Sequence, residues 1–330
     1  MHIAGDDVLV IPGTEAGFSE AIKGMTGRDT HPFVKTLDDA LTNLVTGGTA
    51  SVRWGNRTLD FSEPRIMGIL NVTPDSFSDG GLYYHRQNAV DRAIRMAEEG
   101  AYIIDIGGES TRPGAAPVSP GEELERILPV IRDVRSVSQV PISVDTYHPE
   151  VAARALEEGA DIVNDITGLG TSEMRRVVRD AGCPFIIMHM LGTPQTMQND
   201  PRYDDVVYEV MRFLAQRLAA AGDDGLDVSR AILDPGLGFG KKFRHNVTLL
   251  NRLDDFMTLG HPVMVGASRK SFIGALTGGG RDSRLEGSIA AAVLAYAKGA
   301  ALLRVHDVAE TRRALSVARG IVTGQMTGAG

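Results

Sequence analysis

The residues able to do chemistry in this chain cluster just after short apolar runs. Asn71, Thr73, Asp75, Ser76 and Phe77 follow the first run, and Glu109, Ser110, Thr111, Arg112 and Pro113 follow the second. Asp145, Asn164 with Asp165, Met188 with His189, and Asp234 end the next four, the last leading into DPGLGFGK (234–241). Ser268, Arg269, Lys270 and Ser271, then Arg304, His306 and Asp307, complete the series. Two chemistries separate. Arg112 and Arg304 can grip phosphate oxygens as bidentate forks, and Arg269, Lys270 and His306 add cationic groups nearby. Asn71 offers a neutral oxygen for a Mg²⁺ that a polyphosphate itself would mostly coordinate. This set implies an anionic ligand, a diphosphate. Asp145, Asn164 and Asp234 instead want a planar, donor-rich partner; the edge of an amino-pyrimidinone heterocycle presents neighbouring N–H groups that a carboxylate binds as a fork. Lys270 is placed to bridge the two subsites.

Protein nucleophiles are not indicated: the chain has neither GxSxG nor HExxH, and its one cysteine, Cys183, lacks a supporting His arrangement. Each candidate also has a plain structural alternative. An Asp at a strand end can cap the next helix. His189 between two methionines reads as a hydrogen-bonded core residue, Arg269 as half of a surface ion pair, and Phe77 and Phe239 as inward-packed loop anchors. Asp105 and Glu109 read as supports. Recurrence of matched polar types at seven or eight strand ends favours a shared site over separate structural roles.

The elements that must position these groups are eight short strands. They read as 65–71, 101–108, 141–146, 161–167, 184–190, 231–236, 262–268 and 301–307, each apolar and ending on polar residues or Gly. Helical spacing fills 89–100, 149–159, 172–182, 206–222, 246–260, 286–299 and 308–322, most closed by a Gly. From residue 65 to residue 301 is 236 residues over seven steps, about 34 each, close to the roughly 31 per unit of a (β/α)₈ (TIM) barrel. An α/β barrel is therefore the expected fold class, with its site at the C-terminal strand ends. A doubly wound open sheet is the runner-up, but NVTPDSFSDGG after the first strand matches no phosphate-loop fingerprint. SVRWGNRTLDF (51–61) reads as a β-hairpin that could plug the barrel bottom, 36–45 as a short helix, and residues 1–50 as an extension of unknown role. The domain proper is 51–330.

The bulk numbers narrow the class. Among 330 residues, 43% are hydrophobic and the net charge is −8 with no Lys/Arg block, a poor match to nucleic acid. The first residues do not read as a secretory signal, and no apolar stretch reaches membrane-spanning length. The expectation is a soluble cytoplasmic protein.

NVTPDSFSDGG, GGESTRPGA (107–115), SVDT (143–146), VNDITG (163–168), MHMLGTPQTMQ (188–198), DPGLGFGK, GASRKSF (266–272) and RVHDV (304–308) resemble, in order, the dihydropteroate synthase family. The resemblance covers about Arg65 to residue 322. It implies a (β/α)₈ barrel, usually a homodimer, with Mg²⁺ as cofactor. The family condenses 6-hydroxymethyl-7,8-dihydropterin diphosphate with para-aminobenzoate to 7,8-dihydropteroate and pyrophosphate, in folate synthesis, and sulfonamides compete with para-aminobenzoate. Carried over by position, it implies that Asp145, Asn164, Met188, Asp234 and Lys270 hold the pterin. Asn71, Ser110, Arg112, Arg304 and His306 would hold the diphosphate, with Asn71 at the metal. Phe77, Thr111, Pro113, Phe239, Lys270 and Ser271 would line the aminobenzoate pocket. The rival readings are a pterin-binding methyltransferase-type barrel and a non-catalytic homologue. The first needs neither the Arg304–His306 stretch nor GGESTRPGA; the second usually loses a strand-end polar residue, and none is missing here.

Overall fold

A computed structural model describes residues 2–4, 7–9, 40, 42–43, 51–73, 82–112, 114–278 and 284–324. Phe77 and Pro113, along with Asp75 and Ser76, lie outside the described residues. So does most of the helix expected at 36–45, although Ala40, Thr42 and Asn43 within it are helical.

Two antiparallel hairpins come first. β1 (His2–Ala4) pairs with β2 (Asp7–Leu9), an element for which the sequence reading had no expectation. β3 (Ser51–Trp54) pairs with β4 (Arg57–Asp60), Trp54 opposite Arg57, so the turn falls on Gly55-Asn56 as expected. Eight parallel strands follow: β5 (Arg65–Asn71), β6 (Ile103–Gly107), β7 (Ile142–Asp145), β8 (Ile162–Asp165), β9 (Phe185–Met188), β10 (Ala231–Asp234), β11 (Met264–Val265) and β12 (Leu302–Val305). They pair in the order β10-β9-β8-β7-β6-β5-β12-β11. An isolated bridge from Leu233 to Val263, with the Leu233 N–H donating to the Pro262 carbonyl at 2.9 Å, closes the ring between β10 and β11. This is the expected barrel.

The helices are α1 (Leu82–Glu99), α2 (Pro120–Val137), α3 (Pro149–Glu157), α4 (Ser172–Ala181), α5 (Val206–Asp223), α6 (Phe243–Asn251), α7 (Ser271–Thr277), α8 (Leu285–Ala297) and α9 (Val308–Thr323). α2 and α7 were not anticipated. α2 carries an internal Pro129 that disguises it, but Ser119 caps its Glu122 N–H and Pro120 occupies the first turn, where proline is tolerated. The helix expected at 246–260 instead divides into α6 and a 3₁₀ segment, Leu253–Leu259.

Parallel strands buried on both faces produce two cores. The larger lies between strands and helices. The smaller is inside the barrel at its N-terminal end, where Val52, Leu59 and Phe61 of the hairpin region pack on Met67, Ile103, Ile162, Ile186, Ile232, Met264 and Leu302. The hairpin thus plugs the bottom. Strand side chains repeat with period two, so the residue two places beyond each of these faces the same interior, one layer higher. That upper layer contains Asp105, Asn164, Met188, Asp234, Gly266 and Arg304, joined by Asp145 two residues beyond Ser143.

Candidate active site

The upper layer is held by one buried ion cluster. Arg304 Nε donates to Asp105 Oδ2 and Arg304 Nη2 to Asp145 Oδ2, both at 2.6 Å. The amide of Asn164 donates to Asp105 Oδ2 at 3.2 Å, and β7–β8 register sets Asn164 beside Asp145. One oxygen on each of two groups is left over: Asp145 Oδ1 and Asn164 Oδ1 are buried without a partner. Both residues line a cleft at the barrel mouth, together with Thr111, Met188, Asp234, Phe239, Lys270 and Arg304. Across it, Lys270 Nζ stands 4.0 Å from the Phe239 ring centroid, a cation–π distance. Asp234 sits opposite Met188, and its Oδ1 accepts the Gly236 N–H at 2.7 Å.

The loop from Asp234 to Lys241 is shaped by close approach. A Cβ on Gly236 would lie 1.9 Å from the His189 carbonyl oxygen, and its φ of +67° is in the left-handed region, so only glycine fits. Below it, buried Lys241 donates to the Gly236 carbonyl (2.9 Å) and the Phe239 carbonyl (3.1 Å), and meets His189 Nδ1 at 2.8 Å. Lys241 therefore positions the segment bearing Phe239. His189 is a hydrogen-bonded core residue, as its apolar neighbours suggested.

Burial dominates the electrostatics. It pushes the Asp145 and Asp234 carboxyls upward, offset only in part by Arg304 for Asp145 and by the Gly236 N–H and Lys270 for Asp234. It pushes the Lys270 amine down to about 7, against the pull of Asp234. Burial also opposes the Arg304 charge, yet Asp105 and Asp145 more than restore it. His306 is driven down to about 3 by burial and then by Arg304 and its other cationic neighbours. The expected cationic contribution of His306 is thus corrected: at neutral pH the imidazole is uncharged, its Nδ1 sharing a hydrogen bond with the Ser268 hydroxyl at 3.0 Å. Arg269 takes its alternative reading, donating to Asp307 Oδ1 at 2.6 Å on the surface.

The cleft gathers eight of the expected site residues: Thr111, Asp145, Asn164, Met188, Asp234, Phe239, Lys270 and Arg304. Asn71, Ser110, Arg112, His306 and Ser271 belong to adjoining strand ends and do not line it. Ile166, Leu237 and Gly266 line it without having been anticipated. Asp105, read only as a support, is the acid that holds both Asn164 and Arg304.

Comparison with known proteins identifies the family. The family described as pterin binding enzyme matches residues 67–306. Dihydropteroate synthase of Escherichia coli strain K12 is 49% identical over 260 residues, spanning 79% of this chain and 92% of the relative. Xanthomonas albilineans dihydropteroate synthase with 4-aminobenzoic acid superposes with a TM-score of 0.79 at 47% identity, covering 83% of this chain and 98% of the other. The same enzyme in complex with 7,8-dihydropteroate gives 0.76 at 45%, covering 82% and 98%. With its barrel and its sequence both matching these enzymes, the chain belongs to the pterin binding enzyme family, and within it to the dihydropteroate synthases.

Proposed function

We propose that this barrel mouth joins 6-hydroxymethyl-7,8-dihydropterin diphosphate to para-aminobenzoate, releasing pyrophosphate, through the residues assembled above. The observation that carries the assignment of roles is the pair of unpartnered acceptors, Asp145 Oδ1 and Asn164 Oδ1, in a cleft that also holds Asp234, Lys270 and Arg304. Buried acceptors without donors are costly, and a ring edge rich in N–H groups supplies donors. Asp145, Asn164 and Asp234 hold the pterin edge, Lys270 reaches its polar rim, and Met188 packs against its face. Arg304 reaches the diphosphate from the Asp105–Asp145 pair, joined by Ser110, Arg112 and neutral His306 as hydrogen-bonding groups. Thr111 and Phe239 line the aminobenzoate pocket, for which Phe77 and Pro113 remain candidates from the sequence alone, and Ser271 at the start of α7 meets its carboxylate.

Asn71 would hold a Mg²⁺. Its amide ends β5 and makes no hydrogen bond among the described residues, and a neutral oxygen suits a cation otherwise bound by diphosphate and water. Such an ion, when bound, stabilises charge on the departing pyrophosphate. The chain itself offsets that charge through Arg304 and Lys270, while Asp145 and Asp234 tolerate positive charge developing on the pterin. The aniline nitrogen then attacks the methylene carbon as its bond to the diphosphate oxygen breaks. No side chain need form a covalent bond.

A homodimer in the cytoplasm is part of the same proposal. Leu294 on α8 and Val317, Ile321 and Val322 on α9 are exposed apolar side chains on adjacent helices, suited to cover by a second copy. Among the described residues no helix is long and apolar enough to cross a membrane. Pyrophosphate release with both substrates tests the activity. Turnover is the expected result; tight pterin binding without release would instead indicate a non-catalytic homologue. Sedimentation at twice 35.3 kDa tests the dimer.

A further inference from the structure

A second polar cluster lies apart from the cleft, at the root of the loop after β6. Glu109 and Glu123 are buried, 7% and 0% exposed, and His148 is half-buried at the start of α3. One oxygen from each carboxylate and one imidazole nitrogen all lie within 4.8 Å of one another. Half of each carboxylate is already engaged. Glu109 Oε1 accepts the Tyr147 hydroxyl at 2.9 Å; Glu123 Oε2 accepts the Thr146 hydroxyl at 3.2 Å and meets His148 Nδ1 at 2.8 Å. The other halves, Glu109 Oε2 and Glu123 Oε1, are buried with no partner. Burial raises the Glu123 carboxyl, His148 offsetting it only in part and Glu109 adding to it. Two buried acids with unused oxygens, one polarised imidazole and, among the described residues, no Lys or Arg bonded to either acid call for a compensating cation.

We propose that Glu109, Glu123 and His148 bind a divalent cation of the Zn²⁺ or Mn²⁺ class. Mixed carboxylate and imidazole ligands suit these ions better than Ca²⁺ or Mg²⁺. Tyr147 and Thr146 stand where outer partners orient ligating carboxylates. The imidazole would ligate through whichever ring nitrogen carries its lone pair. The cation would join three segments: the loop carrying Ser110, Thr111 and Arg112, the first turn of α2, and the chain three residues beyond Asp145. It is a structural clamp between the two halves of the cleft, separate from the Mg²⁺ at Asn71, and it does not depend on the reaction proposed above.

The test is calorimetric titration of the chelator-treated full chain with Zn²⁺ and with Mn²⁺, followed by thermal melting. One equivalent of one of these ions should bind and raise the melting temperature. Glu123→Gln and His148→Gln should each weaken that binding by more than about 100-fold, beyond the 10–100-fold of losing an outer partner. Tyr147→Phe should fall within that smaller range, and Asn71→Ala should keep full affinity. If Glu123→Gln does not fold, the more exposed His148→Gln decides. Absence of stoichiometric binding of both ions by the unaltered chain, or binding undiminished in His148→Gln, overturns the proposal.

Discussion

The two ends of this barrel are built on the same strands yet do opposite work. Ile103, Ile162, Ile186, Ile232 and Leu302 seal the lower interior against the hairpin. Two residues further along, Asp105, Asn164, Asp234 and Arg304 face the same interior as a largely polar layer with unpaired oxygens. One step of the two-residue repeat separates oil from ions. The lower layer buries apolar surface and so stabilises; the upper layer leaves acceptors without donors until a ligand arrives. Stability and binding should therefore come apart when each layer is altered.

The largest separation is expected from Ile162→Ala in the lower layer. It should lower the unfolding free energy by about 2–5 kcal/mol in urea titration, with pterin affinity little changed. A matching loss of affinity would break the contrast. Next come Lys270→Ala and Arg304→Ala, each cutting turnover at least about a hundredfold through loss of a charge-stabilising donor. Arg304→Ala should also destabilise, because it strands Asp105 and Asp145 as buried acids without their cation. Near-normal turnover in both variants would remove these residues from the reaction. Asp234→Asn is milder: calorimetry should show pterin binding weakened roughly 10–100-fold and aminobenzoate binding less. The smallest effect is a pH slope. Folded Lys270 titrates at about 7, well below the usual 10.5, so between these values the unfolded chain holds more protons and stability rises with pH. Lys270→Met should flatten that rise in melts taken across the window.

Much of this was legible beforehand, because each barrel strand is an apolar run broken by the polar residue that reaches the mouth. Asp145, Asn164, Asp234 and Arg304 announce themselves in that way. What stayed hidden depends on closure in space. The Asp105–Arg304 pair joins residues 199 apart, and nothing local to DIGG marks its acid as the organiser. Lys241 and His189 meet across 52 residues, so the lysine looked like the tail of a glycine-rich loop. The neutrality of His306 follows first from its burial and then from the cations that face it, neither of which periodicity encodes. α2 was masked by Pro129, and α7 is too short, at seven residues, to show a period.

The ring is not equally stitched all round. Between β10 and β11 it holds by the single Leu233–Val263 bridge and the bond to Pro262, where other neighbours such as β9 and β10 share four-residue ladders. That seam runs up between the strand ending in Asp234 and the one leading to Lys270. Local opening follows the fewest protected amides, so the staves can part there while the rest of the wall stays shut. The width of the doorway between this acid and this amine is accordingly the dimension of the enzyme that thermal breathing changes first, and amide exchange at Leu233 is its gauge.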